Sequence, residues 1–385
     1  MLKKILFIFI IWRIFLFLPL WAGRNIPYRI KYEYTHIFTS TLKYAPVDRP
    51  LLYPLANFDG VHYLDIAGNS YKDNGRFFPL YPILIRGLAT IFGTGQAFGI
   101  IQFFSALAIS QLSFLLAIIF LYKLLRLDFS EKISFWSIIF LMTFPTSFFF
   151  GLIYTESLFL LFLVLSLYLA RKQKWFWSSF FAMLLTITRP IGIVLIPALI
   201  YEAYKQKKFL HFNLSFYFLI FDFLIIIPLG LFLFSYYCLI KWHDPLFFLH
   251  AQALLQNGRS VTGFIFPLQT VWRYLKIITT VSPNIFEWKV ALLEIFSFGF
   301  GSGILVFAWF KKIRPSFLIF SLFALLIPTL SGTFSGLPRY LLVIFPIFLT
   351  LNFIKAKWFK PVYIIFGLIL QFVLFLFFSR GYFIA

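Results

Sequence analysis

The chain has 385 residues, of which 61% are hydrophobic, 23% are aromatic and only 12% carry a charged side chain. About a quarter of a soluble domain is charged, so this composition excludes soluble enzymes, nucleic-acid-binding domains and disordered regulators. Lys and Arg number 34 against 13 for Asp and Glu, a formal net charge of +21, which in a membrane protein orients the loops and contacts anionic headgroups. The single cysteine, Cys238, excludes a disulfide framework and a cysteine metal cluster.

Apolar runs long enough to cross a bilayer follow one another along the chain. The first, residues 1–21, begins with Lys3 and Lys4 and has no small-residue cleavage site, so we expect a retained first helix. Residues 175–204 are interrupted by Arg189 and Pro190, which predicts a hairpin or two short helices. The other predicted spans are 98–122, 133–150, 153–170, 214–240, 290–310, 317–330, 340–353 and 362–378. Together they predict about eleven crossings in one all-α membrane domain, residues 1–385.

Clusters of Lys and Arg recur in the loops between alternate spans. They place these loops in the cytoplasm by the positive-inside rule. The remaining segments are then outside, chiefly a first outer loop at residues 23–78 and a second at residues 241–289. The basic clusters are Lys3-Lys4, Lys123 with Arg126 and Lys132, Arg171-Lys172-Lys174, Lys205-Lys207-Lys208, Lys311-Lys312-Arg314 and Lys355-Lys357-Lys360.

The densest polar cluster of the first outer loop lies at residues 57–67. If this stretch is helical, Asp59, His62 and Tyr63 share one face while Asp65 points elsewhere. A carboxylate beside His and Tyr suits general-base chemistry on a hydroxyl, or cation binding. The alternative is a helix N-terminus in which Asn57 or Asp59 serves as the cap.

The next polar positions lie near predicted membrane boundaries. Residues 76–86 hold two prolines and Arg86, on a short amphipathic element that is also typical of an interfacial helix. Glu156 stands where a span begins, either as a snorkelling end-residue or in a cavity wall. Arg189, at the break of the hairpin, requires an anion: Glu156, Asp222 or a lipid phosphate.

Two further charged residues lie inside predicted spans, and other polar residues follow in the second outer loop. Arg13 and Asp222 are expected to pair structurally. His243, Asp244 and His250 suggest a metal site, but their spacing matches no common zinc pattern. Arg339 opens a span after a Gly-Leu-Pro sequence and suits phosphate binding, although arginines commonly flank spans.

The order of these motifs resembles the GPI mannosyltransferase II (PIG-V) family and its bacterial relatives, which are integral membrane glycosyltransferases of the GT-C fold. The resemblance covers most of the chain. The residue before the aspartate is usually Trp in the family and is Phe58 here. The matching motifs are residues 58–67, residues 77–82 with Arg86, Pro145 with residues 153–158, the Leu-Thr-Arg-Pro type break at Arg189, residues 244–252 and residues 337–340.

The resemblance implies an inverting transferase that moves a sugar, with mannose the first expectation, from a polyprenyl-phosphate donor at the outer membrane face. Asp59 is then the general base, and arginines stabilise the departing phosphate. Arg339 is the first choice for that role and Arg189 the second. The remaining substrate-binding candidates are His62, Tyr63, Arg86, Glu156, Gln252, Arg259 and Tyr340.

The same resemblance sets expectations for partners and location. They are a polyprenyl-phosphate sugar donor, membrane lipid, and a glycan, lipid or protein acceptor, with no nucleic acid. No cofactor is required; a divalent cation at Asp59 is an open alternative and no metal ligands are assigned. We expect a multi-pass protein of the plasma or inner membrane, if bacterial, with its active site on the non-cytoplasmic face.

A second hypothesis is a transporter or flippase of lipid-linked sugars or other anionic amphiphiles. Arg13, Arg189 and Asp222 would then line a path through the membrane. The polar residues cluster at the outer boundary instead of forming a continuous track, and no inverted repeat is evident, which favours the enzyme. A structural scaffold without chemistry is the least favoured hypothesis, because the outer motifs are ordered along the chain.

Overall fold

The computed structural model describes residues 1–29, 49–72, 74–93, 99–206, 214–252 and 264–384. These residues form α-helices, short 3₁₀ turns and connecting turns, with no strand among them. The helices are α1 (Leu2–Phe15), α2 (Phe17–Gly23), α3 (Asp59–Asn69), α4 (Leu80–Ile91), α5 (Ile100–Leu125), α6 (Glu131–Met142), α7 (Glu156–Arg171), α8 (Trp175–Thr188), α9 (Leu195–Gln206), α10 (Leu214–Trp242), α11 (Phe247–His250), α12 (Pro267–Thr280), α13 (Phe286–Phe310), α14 (Pro315–Thr329), α15 (Leu337–Tyr340), α16 (Pro346–Thr350) and α17 (Phe359–Ser379).

Length and composition qualify 5 segments of the described chain as membrane spans: Leu2–Gly23, Ile100–Leu125, Phe218–Trp242, Phe286–Phe310 and Phe359–Ser379. Three shorter apolar helices, α4, α8 and α14, accompany them. The chain is therefore an all-helical, multi-pass membrane protein, as its sequence predicts. The total of about eleven crossings stays a prediction.

Several predicted spans are shorter or broken in the structure. The span predicted at 133–150 ends as α6 at Met142, because the following Phe144-Pro145 pair disfavours helical backbone, and a 3₁₀ turn, Ser147–Gly151, follows. The span predicted at 153–170 begins only at Glu156. The prediction that residues 340–353 form one membrane-spanning helix is wrong, because this segment is not a continuous helix. It consists of short helical turns interrupted before Pro346, where Ile344 leaves helical geometry.

The described residues divide into two compact units. The first unit comprises residues 1–161 and 355–384, and the second unit comprises residues 162–354. In the first unit, Phe114 stacks on Phe150 at 4.2 Å and Phe148 stacks on Phe375 at 5.0 Å, which joins α5 and α17 to the 3₁₀ turn. Gly367 lets α17 approach the end of α6, since a Cβ there would lie 2.1 Å from the Thr143 carbonyl oxygen.

In the second unit, α8 and α10 pack closely. The Thr186 hydroxyl donates to the Ile227 carbonyl at 3.0 Å. A Cβ at Gly230 would lie 2.7 Å from the Met183 carbonyl oxygen. A small residue at the crossing brings two helical backbones together, which is the usual way that apolar helices associate in a membrane.

A buried carboxylate connects three helices of the second unit through hydrogen bonds and ion pairs. Glu202 on α9 accepts two hydrogen bonds from Arg314, at 2.6 and 2.8 Å, and one from Ser316 at 2.7 Å, both at the start of α14. Arg171, at the end of α7, lies 3.5 Å from the same carboxylate, and Gln206 donates to it at 2.5 Å. The carboxylate is thus compensated by charge and by hydrogen bonds, as a buried ion must be.

We expect Glu202→Gln to lower the free energy of unfolding by about 3 kcal/mol, because the half-buried Arg314 and Arg171 lose their buried carboxylate partner. Denaturant unfolding in detergent micelles measures the effect. Glu131→Gln, at an exposed position on α6, is the matched control, with an expected change within about 0.5 kcal/mol. Equal unfolding midpoints for the two variants would contradict the assigned role of Glu202.

Candidate functional site

Asp59 is the first residue of α3, and the chain enters this helix through a strained residue. Phe58 has φ 59° and ψ −112°, a conformation that a bulky residue adopts only when its surroundings hold it, at a cost of about 1–3 kcal/mol. The Phe58 ring packs on Phe378 and Phe383, both at 5.2 Å. The Asn57 amide donates to the Phe378 carbonyl at 3.0 Å. The N-cap position is occupied by Phe58, whose side chain makes no capping hydrogen bond, so neither Asn57 nor Asp59 is the cap residue.

The hydroxyl of Tyr154 bridges the same turn from the other side. It donates to the Asn57 carbonyl at 2.8 Å and accepts from the Asp59 N–H at 3.3 Å. The next residue of that segment, Thr155, lies 3.4 Å from the Tyr63 hydroxyl, oxygen to oxygen. The motifs at 58–67 and 153–158, far apart in sequence, therefore form one structure.

A glycine permits this contact. A Cβ at Gly60 would meet the Ile153 carbonyl oxygen at 3.0 Å, closer than nearly all such contacts. The Ile153 N–H donates to the Leu55 carbonyl at 2.9 Å. The first turn of α3 therefore rests directly on the backbone that precedes Glu156.

His62 lies one helical turn after Asp59 and is held neutral. Its ring stacks on Phe77 at 4.7 Å, and an Arg76 nitrogen, Nη2, lies 3.5 Å from its Nε2. Burial, with a smaller effect of Arg76, lowers the pKa of His62 to about 4, although Asp59 opposes the shift. Since a guanidinium only donates, Nε2 is the acceptor and the proton of the neutral ring is on Nδ1.

Asp59, His62 and Tyr63 lie on a helix, as the sequence predicts, and Asp65 points elsewhere. The Asp65 carboxylate accepts hydrogen bonds from Asn69 at 2.9 Å and Asn74 at 3.4 Å. Its oxygens are therefore engaged in a local polar cluster near the end of α3.

Arg76 is the residue that sequence reasoning missed. Its guanidinium lies over the Phe77 ring at 4.8 Å and beside His62, whereas Arg86 is exposed and donates to the Ser70 hydroxyl at 3.4 Å, past the end of α3. Because α3 is 11 residues long, its two ends lie about 16 Å apart. The sequence signal for Arg76 is its position directly before the Phe-Phe-Pro sequence of residues 77–79.

Glu156 is fully buried as the first residue of α7, so the interpretation as a snorkelling end-residue is wrong. It interacts electrostatically with Tyr81. The Tyr81 hydroxyl in turn donates to the Ala106 carbonyl at 2.9 Å and lies 2.6 Å from the Ser110 hydroxyl. Glu156 therefore lies in the buried interior of the first unit.

In the second unit, two of the predicted phosphate-binding arginines share one aromatic ring. Arg189 has extended backbone between α8 and the 3₁₀ turn Pro190–Val194, which confirms the predicted break. Its guanidinium lies 5.9 Å from the centre of the Tyr340 ring, and that of Arg339 lies 5.6 Å from it. Gly336, with φ 85°, precedes α15, and a Cβ added there would lie 3.1 Å from the same ring.

The predicted second outer loop contributes an Asp–His pair. Asp244 lies 2.6 Å from Nδ1 of His250, and the hydrogen bond from that imidazole lowers the pKa of the carboxyl. Gln252 is half-buried in the turn after α11, and Arg259 lies outside the described residues. Within the described ranges no three His, Cys, Asp or Glu side chains are grouped to hold a metal ion.

The predicted site residues thus fall into two groups. Asp59, His62, Tyr63, Arg86 and Glu156 belong to the first unit, while Arg189, Gln252, Arg339 and Tyr340 belong to the second. In the first unit the turn around Tyr154 positions Asp59, and in the second unit Arg189 and Arg339 lie at the Tyr340 ring.

We expect Gly192→Ala to disrupt the turn that holds Arg189. A Cβ there would lie 2.8 Å from the Leu185 carbonyl carbon and the Thr186 nitrogen, so backbone must move, at a cost of about 1–3 kcal/mol. Thermal unfolding in detergent should show a lower midpoint. Gly299→Ala on α13, where nothing lies within 4 Å of the added Cβ, should leave the midpoint unchanged or raise it. A common midpoint for both variants would show that the turn is not tightly packed.

Comparison with known proteins gives one family and one solved structure. No curated protein matches the chain. The crystal structure of the Archaeoglobus fulgidus oligosaccharyltransferase in the apo form is similar, at 13% identity and a TM-score of 0.45, over 96% of this chain and 56% of that one. The chain therefore spans little more than half the length of that protein. The profile of the Mannosyltransferase (PIG-V) family matches residues 2–327. Because this match extends over most of the sequence, the chain belongs to the Mannosyltransferase (PIG-V) family.

Proposed function

We propose that this protein is an inverting glycosyltransferase of the GT-C type, which moves a sugar, mannose in the first instance, from a polyprenyl-phosphate donor to an acceptor hydroxyl. The family membership supports the transferase chemistry. The observation that carries the catalytic assignment is the turn at residues 57–59, where Tyr154 and Asn57 hold a strained backbone directly before Asp59. Strain of this kind concentrates at functional sites.

Asp59 is the proposed general base. Its carboxylate takes the proton from the acceptor hydroxyl while the hydroxyl oxygen attacks the anomeric carbon, and the bond from that carbon to the phosphate oxygen breaks. The configuration at the carbon inverts, and the polyprenyl phosphate departs with the bonding electron pair. Because His62 is neutral, it places no positive charge beside Asp59. A positive charge there would stabilise the ionised carboxylate and make it a weaker base.

Cations are needed where the phosphate gains charge. In the first unit we assign this role to Arg76, which is half-buried and held in place by Phe77. In the second unit Arg339 and Arg189, whose guanidinium groups both lie near the Tyr340 ring, remain the proposed donor-phosphate ligands. His62, Tyr63, Glu156 and Tyr340 are proposed to contact the sugar or orient these groups.

The proposed enzyme acts at one face of the membrane, on a lipid-linked donor and a separate acceptor. The positive-inside pattern supports a position of Asp59 on the non-cytoplasmic face of the plasma or inner membrane. The donor's isoprenoid tail lies among apolar helices, and the acceptor is a glycan, a lipid or a protein. A divalent cation at Asp59 is not required by the mechanism.

The transporter alternative has less support. It needs Arg13 as part of a polar path, but the Arg13 guanidinium donates to the Gly151 carbonyl at 3.3 Å and lies over Phe17 at 5.2 Å. These contacts give Arg13 a structural role at the end of the 3₁₀ turn. Under the enzyme proposal its substitution lowers stability and does not abolish transfer selectively.

We expect Asp59→Asn to reduce transfer of labelled mannose from polyprenyl-phosphate mannose, in membranes that contain the native acceptor, by about a hundredfold or more. The amide cannot accept the proton but keeps the shape of the side chain. Asp65→Asn, on the same helix with its carboxylate engaged by Asn69 and Asn74, is the matched control and should keep most of the activity. Undiminished transfer by Asp59→Asn at normal expression would end the general-base assignment.

We expect Arg76→Gln to lower kcat/KM for the donor by about tenfold to a hundredfold, because one donor to the phosphate is lost. Arg76→Lys, which retains the charge but not the fork, should recover part of the loss. Lys72→Gln, an exposed cation four residues earlier, controls for net charge and should stay within about twofold. If Arg76→Gln and Lys72→Gln behave alike, Arg76 has no special role at the phosphate.

A further inference from the structure

The helix α12 has an exposed apolar face that no function described above uses. Leu268, Trp272 and Leu275 are exposed, and they are spaced to form one stripe along the helix. Phe264 and Phe266, just before the helix, are 89% and 79% exposed. An aqueous surface rarely presents so many large apolar side chains together.

The opposite face of α12 is fixed to neighbouring elements of the second unit. The Thr270 hydroxyl donates to the Thr329 carbonyl at 3.1 Å, and the buried Tyr274 hydroxyl donates to Glu294 at 2.5 Å. Near the other end, the Trp288 indole donates to the Ile278 carbonyl at 3.0 Å. These bonds hold α12 across the N-terminal end of α13 and the C-terminal end of α14.

The position of these helix ends relative to the bilayer determines how deep α12 lies in the membrane. α13 is a candidate membrane span of 25 residues, about 37 Å long, which exceeds the roughly 30 Å of the hydrocarbon core. Its first turn therefore lies at the boundary between hydrocarbon and headgroups. Since α12 is bonded to this turn, its exposed stripe faces the environment at the same depth.

The charges of α12 match an anionic lipid surface. The helix carries Arg273 and Lys276 and no acidic residue. The Lys276 ammonium lies 5.8 Å from the centre of the Trp272 ring, so the cation is placed beside the apolar stripe. Basic residues flanking a Trp-containing apolar face are typical of helices that lie in a membrane interface.

We propose that α12 lies flat in the bilayer interface, with Phe264, Phe266, Leu268, Trp272 and Leu275 inserted among lipid chains and Lys276 at the phosphates of anionic headgroups. The surface is independent of the proposed transferase site. It anchors the segment from Phe264 to the end of α12 to the membrane.

Site-directed spin labelling of the full chain tests this proposal. Cys238 is the only cysteine, so Cys238→Ala gives a cysteine-free background. Single variants Leu268→Cys, Trp272→Cys and Leu275→Cys are labelled and reconstituted in vesicles of phosphatidylcholine with phosphatidylglycerol. Asn284→Cys, exposed in the turn between α12 and α13, is the matched aqueous control. The readout is collision of each label with oxygen, which concentrates in lipid, and with a water-soluble nickel complex.

We expect the three stripe positions to have a severalfold higher ratio of oxygen to nickel collisions than position 284. Equal ratios would place the stripe in water and overturn the proposal. Protection from both reagents would show that protein covers the stripe, in this chain or in a second copy, and would also overturn it. Lys276→Gln should reduce insertion in vesicles with phosphatidylglycerol but not in pure phosphatidylcholine; an equal effect in both would refute the anionic-headgroup contact.

Discussion

The hydroxyl of Tyr154 determines the geometry on which the candidate site depends. It is fully buried, and it satisfies a carbonyl and an N–H that the abrupt entry into α3 leaves without helical partners. In an apolar bundle an unpaired backbone group costs several kcal/mol. The strained conformation of Phe58 is therefore maintained because the alternatives would leave those groups buried and unbonded. Asp59 takes its position from this turn.

The same rule explains the polar residues elsewhere in the chain. Glu202 remains buried because arginine, serine and glutamine side chains surround its oxygens, and Arg13 reaches a carbonyl at the end of a 3₁₀ turn. Irregular backbone occurs at Arg189 and at Ile344, each shortly before a proline, whereas Pro228 is accommodated inside α10. A break leaves backbone polar groups without helical partners, and such breaks are where a membrane protein can place chemistry.

Much of the site could be predicted because its elements are local. The three- and four-residue spacing of Asp59, His62 and Tyr63 reports a helix face directly, and Pro190 marks the break at Arg189 without reference to any neighbour. Arg76 and Arg86 could not be ranked in this way. Both flank the same proline-containing motif, and only the packing of Phe77 on His62 shows that Arg76 lies beside that imidazole while Arg86 lies past the other end of α3.

Hydropathy and charge, which depend only on composition along the chain, determined that this is a helical membrane protein and where its long spans run. Family-typical motifs determined the transferase hypothesis and the choice of Asp59. Tertiary structure alone decided how the motif after Ile153 meets the motif after Phe58. It also decided that one tyrosine ring lies within reach of two arginines in the second unit. The reason is that an apolar run specifies burial but not the helix against which it packs, and the hydrogen bonds of a side chain depend on which helices cross. The crossings are selected by small residues such as Gly60, Gly230 and Gly367. The role of these glycines becomes visible only in the structure, where two backbones are in contact.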